Sequence, residues 1–284
     1  MLAEQKVVLS TYSLQQLPVL PETAGWASYV RCHDDIGWAI MDEYAAAVGL
    51  SGFGHRSFLS DFYGGDFQGT WSIGDIFQFN PETGDKRICG SAASLAGLEQ
   101  AYAAGYQNEI EAAIKRILLI HNVMFAAGGI PLIYMGDELG MLNDYSYKND
   151  PAKADDNRWM HRPMMDWELA KERHKFSTPT GAIFQGMKQL AITRKKTPAL
   201  HSQAQSTAIW THNDHVFGLL RSSARGKLVV LANFSPALQV IPAGRLAEFG
   251  LGGDLVDAIT GRNFHGSVDI ALGPYEAIWL IDKK

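Results

Sequence analysis

NEIEAAIKRILLIHNVMFAAGGIPLIYMG, residues 108–136, places a helical pattern directly before a strand pattern. Ile110, Ile114 and Ile117 recur at helical spacing behind an acidic first turn, and the dipeptide Gly128-Gly129 ends the pattern. The IPLIYMG that follows is a continuous apolar run of the length expected for a buried parallel strand. Helix, glycine turn and buried strand together predict a unit of an α/β barrel or of a doubly wound sheet.

Composition limits the class of protein. A chain of 284 residues with 46% hydrophobic content can build one large domain or two ordinary ones, and we expect it to be soluble and globular. A net charge of −5 without a basic run argues against nucleic-acid partners and against a membrane surface. Cys32 and Cys89 suit a reduced compartment or packing roles better than a disulfide framework. The first residues lack the features of a signal peptide, which favours the cytoplasm, although localisation stays open.

The segment before this unit begins with an apolar strand that ends in charge. WASYVRC, residues 26–32, reads as a strand and is followed by His33, Asp34 and Asp35. IGWAIMDEYAAAVGL, residues 36–50, has helical spacing. Residues 51–104 are rich in glycine and aromatic side chains without a sustained period, which indicates a long functional insertion.

The segment after the unit changes class near residue 205. Residues 136–167 form a long polar loop, and GAIFQGMKQLAITRKKTPAL, residues 181–200, predicts a helix with a basic end. Short alternating or apolar runs then predict a small antiparallel all-β domain. These runs are STAIWTH, HVFGLLRSS, GKLVVLANFS, LVDAIT, FHGSVDIAL and EAIWLID.

Several of these stretches carry a family resemblance. The sequence resembles the amylosucrase type of the α-amylase family, sucrose-using glucosyltransferases among retaining (β/α)8-barrel enzymes. The strings that carry the resemblance are YVRCHDDIGW, VGLSGFGHRSFL, FQFNPETGDKR, GGIPLIYMGDELG and DDNRWMHRP. The resemblance implies an α/β fold: the C-terminal part of a (β/α)8 TIM barrel with an insertion after strand 7, then an antiparallel all-β C-terminal domain.

The resemblance also implies boundaries. Residues 1–39 would hold the end of barrel helix 6 and strand 7, and residues 40–107 the insertion after strand 7. Residues 108–202 would hold barrel helix 7, strand 8, long loop 8 and helix 8. Residues 203–284 would form the C-terminal β-domain.

Donor-site roles follow from the same resemblance, position by position. His33 matches a histidine that binds glucosyl hydroxyls, and Asp34 matches the carboxylate that stabilises the oxocarbenium-like transition state. Asp35 matches an acidic residue beside the fructosyl unit or the acceptor. Arg158 matches an arginine that closes the bottom of the pocket by pairing with an upstream aspartate. The residues alone leave other interpretations open: Asp34 or Asp35 as N-cap of a helix starting at Ile36, and Arg158 in a surface ion pair with Asp155 or Asp156.

The insertion supplies acceptor-side candidates: Arg56, Phe58, Gln78 and Arg87. Arginine offers several fixed donors to sugar hydroxyls, and phenylalanine can stack on a pyranose face. Arg56 and Arg87 are equally compatible with loop scaffolding. We expect sucrose and an α-1,4-glucan acceptor as partners, no cofactor, and no metal site, because neither His55 nor His161 belongs to a cluster with zinc-ligand spacing.

The resemblance exposes a gap in the chemistry. A retaining mechanism needs a nucleophile and a general acid/base about 5 Å apart, and in this family both lie on barrel strands four and five. Both are therefore expected to be absent from this chain, which predicts an inactive fragment with an N-terminal complement of the barrel as candidate partner. Asp137 and Glu138 do not replace them, because adjacent residues on an extended segment point in opposite directions.

Other functions stay open at this level. The chain could be part of a related sucrose hydrolase, α-glucosidase or trehalose-forming isomerase, since transfer and hydrolysis differ in how well an acceptor competes with water. From a different class, it could be a non-catalytic fragment that binds glucan or docks onto a partner.

Overall fold

The computed structural model of the chain describes residues 1–21, 23–202 and 204–283. The predicted first and last residues of the β-domain, 203 and 284, lie outside the described residues. The chain forms two compact units. Unit 1 contains Met1–Ser28, Leu119–Leu132 and Met187–Lys284, and unit 2 contains Tyr29–Leu118 and Ile133–Gly186.

The helices and strands of the described residues are numbered in chain order. The α-helices are α1 Val8–Gln15, α2 Asp42–Ala47, α3 Gly52–Gly64, α4 Ala92–Leu95, α5 Leu98–Ala104, α6 Gln107–Ala126, α7 Trp167–Lys171 and α8 Pro179–Lys196. The first strands are β1 Ala27–Tyr29, β2 Asp75–Phe77, β3 Arg87–Cys89 and β4 Ile130–Leu132. The later strands are β5 Gln205–Ile209, β6 Val216–Ser223, β7 Gly226–Asn233, β8 Gln239–Ile241, β9 Asp254–Asp257, β10 Asn263–His265, β11 Ile270–Leu272 and β12 Ala277–Asp282.

The C-terminal β-domain confirms the sequence prediction. Six antiparallel strands follow the order β10-β9-β12-β7-β6-β5, and the central strands are buried over residues 228–233 of β7 and 278–280 of β12. Trp279 of β12 is fully buried, and its indole N–H donates to Asn122 Oδ1 of α6 over 2.7 Å. A buried indole needs such a partner, because an unsatisfied N–H would lose its hydration without replacement.

One predicted strand of this domain is two. FHGSVDIAL divides into β10, which belongs to the six-stranded sheet, and β11, which pairs with β8. The break lies at Gly266, where a Cβ atom would stand 1.9 Å from the carbonyl oxygen of Leu251. Only glycine allows that close approach of two backbone segments.

The helix and turn of residues 108–129 are confirmed, but the buried strand is not. At Gly129 an added Cβ would lie 1.9 Å from Trp26 O, so the turn requires glycine. β4 has three residues and is open to solvent, with Ile130 66% and Leu132 48% exposed. Within the described residues its sheet contains only β1 and β4. A strand is buried on both faces only where layers cover it, and this pair alone does not provide them. The barrel therefore stays a prediction.

The predicted helix over residues 36–50 is shorter than expected. α2 begins at Asp42, and Ile36 instead exchanges backbone hydrogen bonds with Ile88, at 2.8 and 3.0 Å. An N-cap role for Asp34 or Asp35 is therefore wrong, because no helix starts at Ile36. No described helix is both long and apolar enough to cross a membrane.

The insertion is more ordered than its sequence suggested. α3 begins behind Ser51, whose hydroxyl accepts the Gly54 N–H over 3.1 Å as an N-cap. Aromatic rings from α3 and the following loop pack edge to face, for example Phe62 on Trp71 at 5.0 Å between centroids. β2 and β3 then form an antiparallel hairpin. The aromatic cluster thus lets α3 form without a regular apolar stripe.

Candidate functional site

The turn that carries His33, Asp34 and Asp35 is anchored in unit 2 by the residue before it. Arg31 is buried and forms an ion pair with the equally buried Asp137, at 2.7 Å. A second nitrogen of its guanidinium donates to the His161 carbonyl over 3.0 Å. A buried pair of this kind fixes geometry strongly, because removal of one partner would leave an uncompensated charge.

His161 holds the same turn from the other side. Its Nδ1 accepts the Gly90 N–H over 2.9 Å, so the proton is on Nε2, which donates to the His33 carbonyl over 3.2 Å. Arg162 Nε donates to that same oxygen over 2.6 Å. Burial, followed by the charge of Arg31, lowers the pKa of His161 to about 4. The imidazole is therefore neutral at pH 7, and it positions the backbone of His33 while the His33 side chain stays exposed.

Arg158 is the centre of the charged cluster. It donates one hydrogen bond of 2.7 Å to Asp34 Oδ1 and two of 2.9 Å to the carboxylate of Asp156. Its guanidinium lies over the Phe77 ring, 4.6 Å from the centroid. The hydrogen bond from Arg158, followed by that from the Asp35 backbone N–H, lowers the pKa of Asp34 to about 2. Asp34 is therefore ionised at neutral pH, with half of its side chain exposed.

Asp35 faces a different arginine. Its carboxylate is only 7% exposed and pairs with Arg87 at 3.1 Å, while Arg158 stands 3.9 Å away. Asp34 pairs mainly with Arg158 and Asp35 with Arg87. These two arginines offset the repulsion between the adjacent carboxylates.

A cavity of about 610 Å³ lies beside the cluster. Its walls are Ile76, Phe77, Gln78, Ala154, Asp155, Asp156, Asn157 and Arg158. Gln78 has φ of +51°, a region that non-glycine residues seldom occupy, so its backbone is strained beside the cavity. Asn157 braces the wall by donating to Ile76 O over 2.8 Å. The volume falls within the range of about 300–1,000 Å³ typical of small-molecule sites.

The structure brings most predicted residues together. Asp34, Asp35, Arg87 and Arg158 share one cluster, the exposed His33 directly precedes it in the chain, and Gln78 lines the cavity with Arg158. Two predicted residues have other surroundings. Arg56 binds Ile40 O and Asp42, both at 2.8 Å, and stands 3.5 Å from Asp85, while Phe58 packs on Phe67.

Sequence reasoning missed three contributors. Asp156 was considered only as a surface partner of Arg158, yet it holds the guanidinium that reaches Asp34. Nothing in the sequence distinguished His161 or Arg162 as supports of the His33 carbonyl. Both residues lie in the string MHRP, next to Arg158, but that string does not indicate the contact.

Asp137 and Glu138 do not form an acid/base pair. They lie in a 3-10 turn, Asp137–Leu139, rather than on the extended segment expected from sequence. Asp137 is bound to Arg31, and Glu138 accepts the Gly136 N–H over 2.8 Å. Within the described residues, no three His, Cys, Asp or Glu side chains are placed to hold a metal ion. The cluster can bind hydroxyls and stabilise positive charge.

Parts of the chain are similar in sequence to known proteins. A family model described as the C-terminal domain of amylosucrase matches residues 206–281. Glucosylglycerate phosphorylase from Escherichia coli (strain K12) is 28% identical over 167 residues, which are 58% of this chain and 28% of that protein. The chain thus spans little more than a quarter of that relative's length.

A solved structure shows a similar fold. The crystal structure of a variant of AmyP in complex with maltotriose is similar with a TM-score of 0.51 at 20% identity, covering 67% of this chain and 38% of that one. AmyP in complex with maltose has a TM-score of 0.48 at 22% identity, covering 59% of this chain and 34% of that one. The family model thus covers the C-terminal β-domain, and the likeness to solved structures is one of fold.

Proposed function

We propose that the chain is the C-terminal portion of an amylosucrase-type glucosyltransferase. The complete enzyme would transfer glucose from sucrose to an α-1,4-glucan by a retaining mechanism and release fructose. The observation that carries the proposal is the position of Asp34: an ionised, half-exposed carboxylate in the charged cluster that borders a cavity of about 610 Å³.

In this reaction Asp34 would bind glucosyl hydroxyls more strongly as the ring flattens and gains positive charge. His33, with its backbone held by His161 and Arg162, would bind hydroxyls of the same ring. Arg158 and Asp35 would bound the site, with Arg87 and Gln78 on the acceptor side. Arg56 and Phe58 remain acceptor-side candidates whose present contacts lie within the insertion.

The isolated chain would not turn over sucrose, because the nucleophile and the general acid/base would come from strands outside it. It would need an N-terminal complement of the barrel. Hydrolysis of sucrose, α-glucosidase activity and isomerisation to a trehalose-type product are alternatives that share the donor site.

A second candidate follows from the relative in E. coli. Glucosylglycerate phosphorylase is 28% identical over 58% of the chain. By analogy, glycerate could take the place of fructose in the glucosyl donor, and phosphate the place of glucan as the acceptor. In both candidates Asp34 keeps the same role, and only the group on the far side of the glucosyl unit changes. A non-catalytic fragment that binds glucan or docks onto a partner is the candidate from another class.

The test combines the chain alone with a longer protein that supplies the missing barrel strands. With sucrose and glycogen, the longer protein is expected to release fructose and extend glucan, and its Asp34→Asn variant to lose at least about a hundredfold in rate. Glucose and fructose without glucan would indicate a hydrolase. Conversion of glucosylglycerate only when phosphate is added would indicate the phosphorylase. Fructose release by the chain alone, lost in Asp34→Asn, would contradict the proposal of an incomplete site.

A further inference from the structure

A second cavity, of about 450 Å³, lies in unit 1 at the C-terminal end of α8. Its polar lining includes Arg194, Lys195, His201 and Arg225, and Pro131 contributes apolar surface. The remaining lining residues are uncharged, so the described wall contains cationic side chains and no carboxylate.

Among the described residues, the guanidinium groups of Arg194 and Arg221 near the cavity donate only to carbonyl groups. Arg194 donates to Phe125 O and, over 2.6 Å, to Gly129 O. Arg221 donates to His201 O over 3.0 Å and to Ala127 O over 3.3 Å, and its buried Nε has no acceptor among the described residues. Carbonyl dipoles satisfy N–H groups without cancelling the net charge, so the field of both guanidinium groups remains.

The partly buried Arg194 acts on the buried Arg221 through its positive charge. Burial, followed by the positive charge of Arg194, lowers the pKa of Arg221 to about 10. Burial also lowers the pKa of Arg194. An anion in the adjacent cavity would relieve this repulsion.

Two further cations stand exposed on the rim. Lys195 follows Arg194 on α8, whereas Arg225 comes from the turn between β6 and β7. In the part of the chain that the structure describes, neither side chain makes an ion pair. Basic residues at the end of a helix commonly complement its dipole, which explains Lys195 but not Arg225. Two separate elements thus direct cations to one cavity.

We propose that this cavity binds a phosphorylated monosaccharide. Lys195 and Arg225 would contact the phosphate. The arginine guanidinium can donate two parallel hydrogen bonds to phosphate oxygens, and the lysine ammonium adds a compact positive charge. Pro131 would contact the sugar body. The volume exceeds what a phosphate ion alone requires and lies in the range of about 300–1,000 Å³ for small-molecule sites. The site shares no residue with the donor site proposed around Asp34.

The test measures binding of glucose 6-phosphate, inorganic phosphate and glucose to the full chain by isothermal titration calorimetry. Glucose 6-phosphate is expected to bind saturably and more weakly as salt is added, and glucose not at all. The double variant Lys195→Ala/Arg225→Ala should bind at least about tenfold more weakly. Lys196→Ala, which removes an exposed neighbouring charge outside the cavity, should bind as the wild type does.

Unchanged thermal unfolding of the double variant would assign its loss to the site rather than to misfolding. Persistence of binding in Asp34→Asn would separate this site from the proposed donor site. Absence of saturable binding, an equal loss in Lys196→Ala, or equally tight binding of inorganic phosphate would overturn the proposal.

Discussion

Arg158 reaches Asp34 across 124 positions of sequence and binds its Oδ1 at 2.7 Å, while Asp156 holds the other side of the guanidinium. The carboxylate expected to stabilise a glucosyl cation is thereby kept ionised and fixed in direction. A sugar hydroxyl that binds Asp34 would meet a carboxylate whose orientation is already set.

Arg158→Ala should raise the pKa of Asp34 from about 2 towards its ordinary value of 3.8, because the first cause of the lowered value is lost. Carboxyl carbon shifts followed by NMR across acid pH measure it. Arg87→Ala is the matched control, since Arg87 binds Asp35 instead. An Asp34 pKa that stays near 2 in Arg158→Ala would show that Arg158 does not set it.

His161 predicts a pH dependence of stability. Its folded pKa of about 4 lies below the ordinary 6.5, so the unfolded chain binds more protons between these values. Stability from this residue is present above pH 6.5 and is lost as pH falls towards 4, by up to about 3 kcal/mol. Urea unfolding at pH 7 and at pH 4.5 measures the loss.

The matched variant is His161→Gln, which cannot titrate. It should be less stable than the wild type at pH 7, because the contacts to Gly90 and to the His33 carbonyl are disturbed. Its stability should fall less between pH 7 and pH 4.5. Equal losses in both proteins would assign the pH dependence to other groups.

Local patterns predicted the β-domain well. β6 and β7 are long apolar runs that pair along eight residues each, and turn residues separate them in the sequence. Local patterns did not predict the secondary structure where contacts between residues distant in sequence determine it. Residues 36–41 have helical spacing, yet Ile36 pairs with Ile88, which lies in the insertion. The apolar run at Ile130 has the composition of a buried strand, but composition does not state whether neighbouring strands are supplied.

The site followed the same rule. His33, Asp34 and Asp35 were found because three polar residues end an apolar segment. The tautomer of His161 depends on a backbone N–H donated by Gly90, 71 positions away. No period or motif in the local sequence encodes such a contact, so the support of the site became visible only in the fold.

The two cysteines should differ in reactivity. Cys89 is fully buried, and burial raises the pKa of its thiol to about 12, so the thiolate that attacks a thiol reagent is scarce. Cys32, predicted as the last residue of a strand, is half-buried and lies after β1. Ellman's reagent at pH 7.5 should modify one thiol in the native chain and two in urea. Cys32→Ser should abolish the native reaction, whereas fast modification of Cys89 in that variant would contradict the burial argument.

The exposed strand β4 predicts self-association of the chain. Ile130 and Leu132 are open to solvent, and within the described ranges their sheet contains only β1 and β4. Apolar side chains and strand edges are therefore both available to another copy. Light scattering coupled to size exclusion should show oligomers at micromolar concentration. The double variant Ile130→Lys/Leu132→Lys should shift the chain towards monomer, because charged side chains on an edge strand oppose its pairing with a strand of another copy. Val268→Lys, at another exposed apolar position, should leave the oligomers unchanged. A monodisperse wild-type monomer with a cooperative thermal transition would show instead that β4 needs no partner.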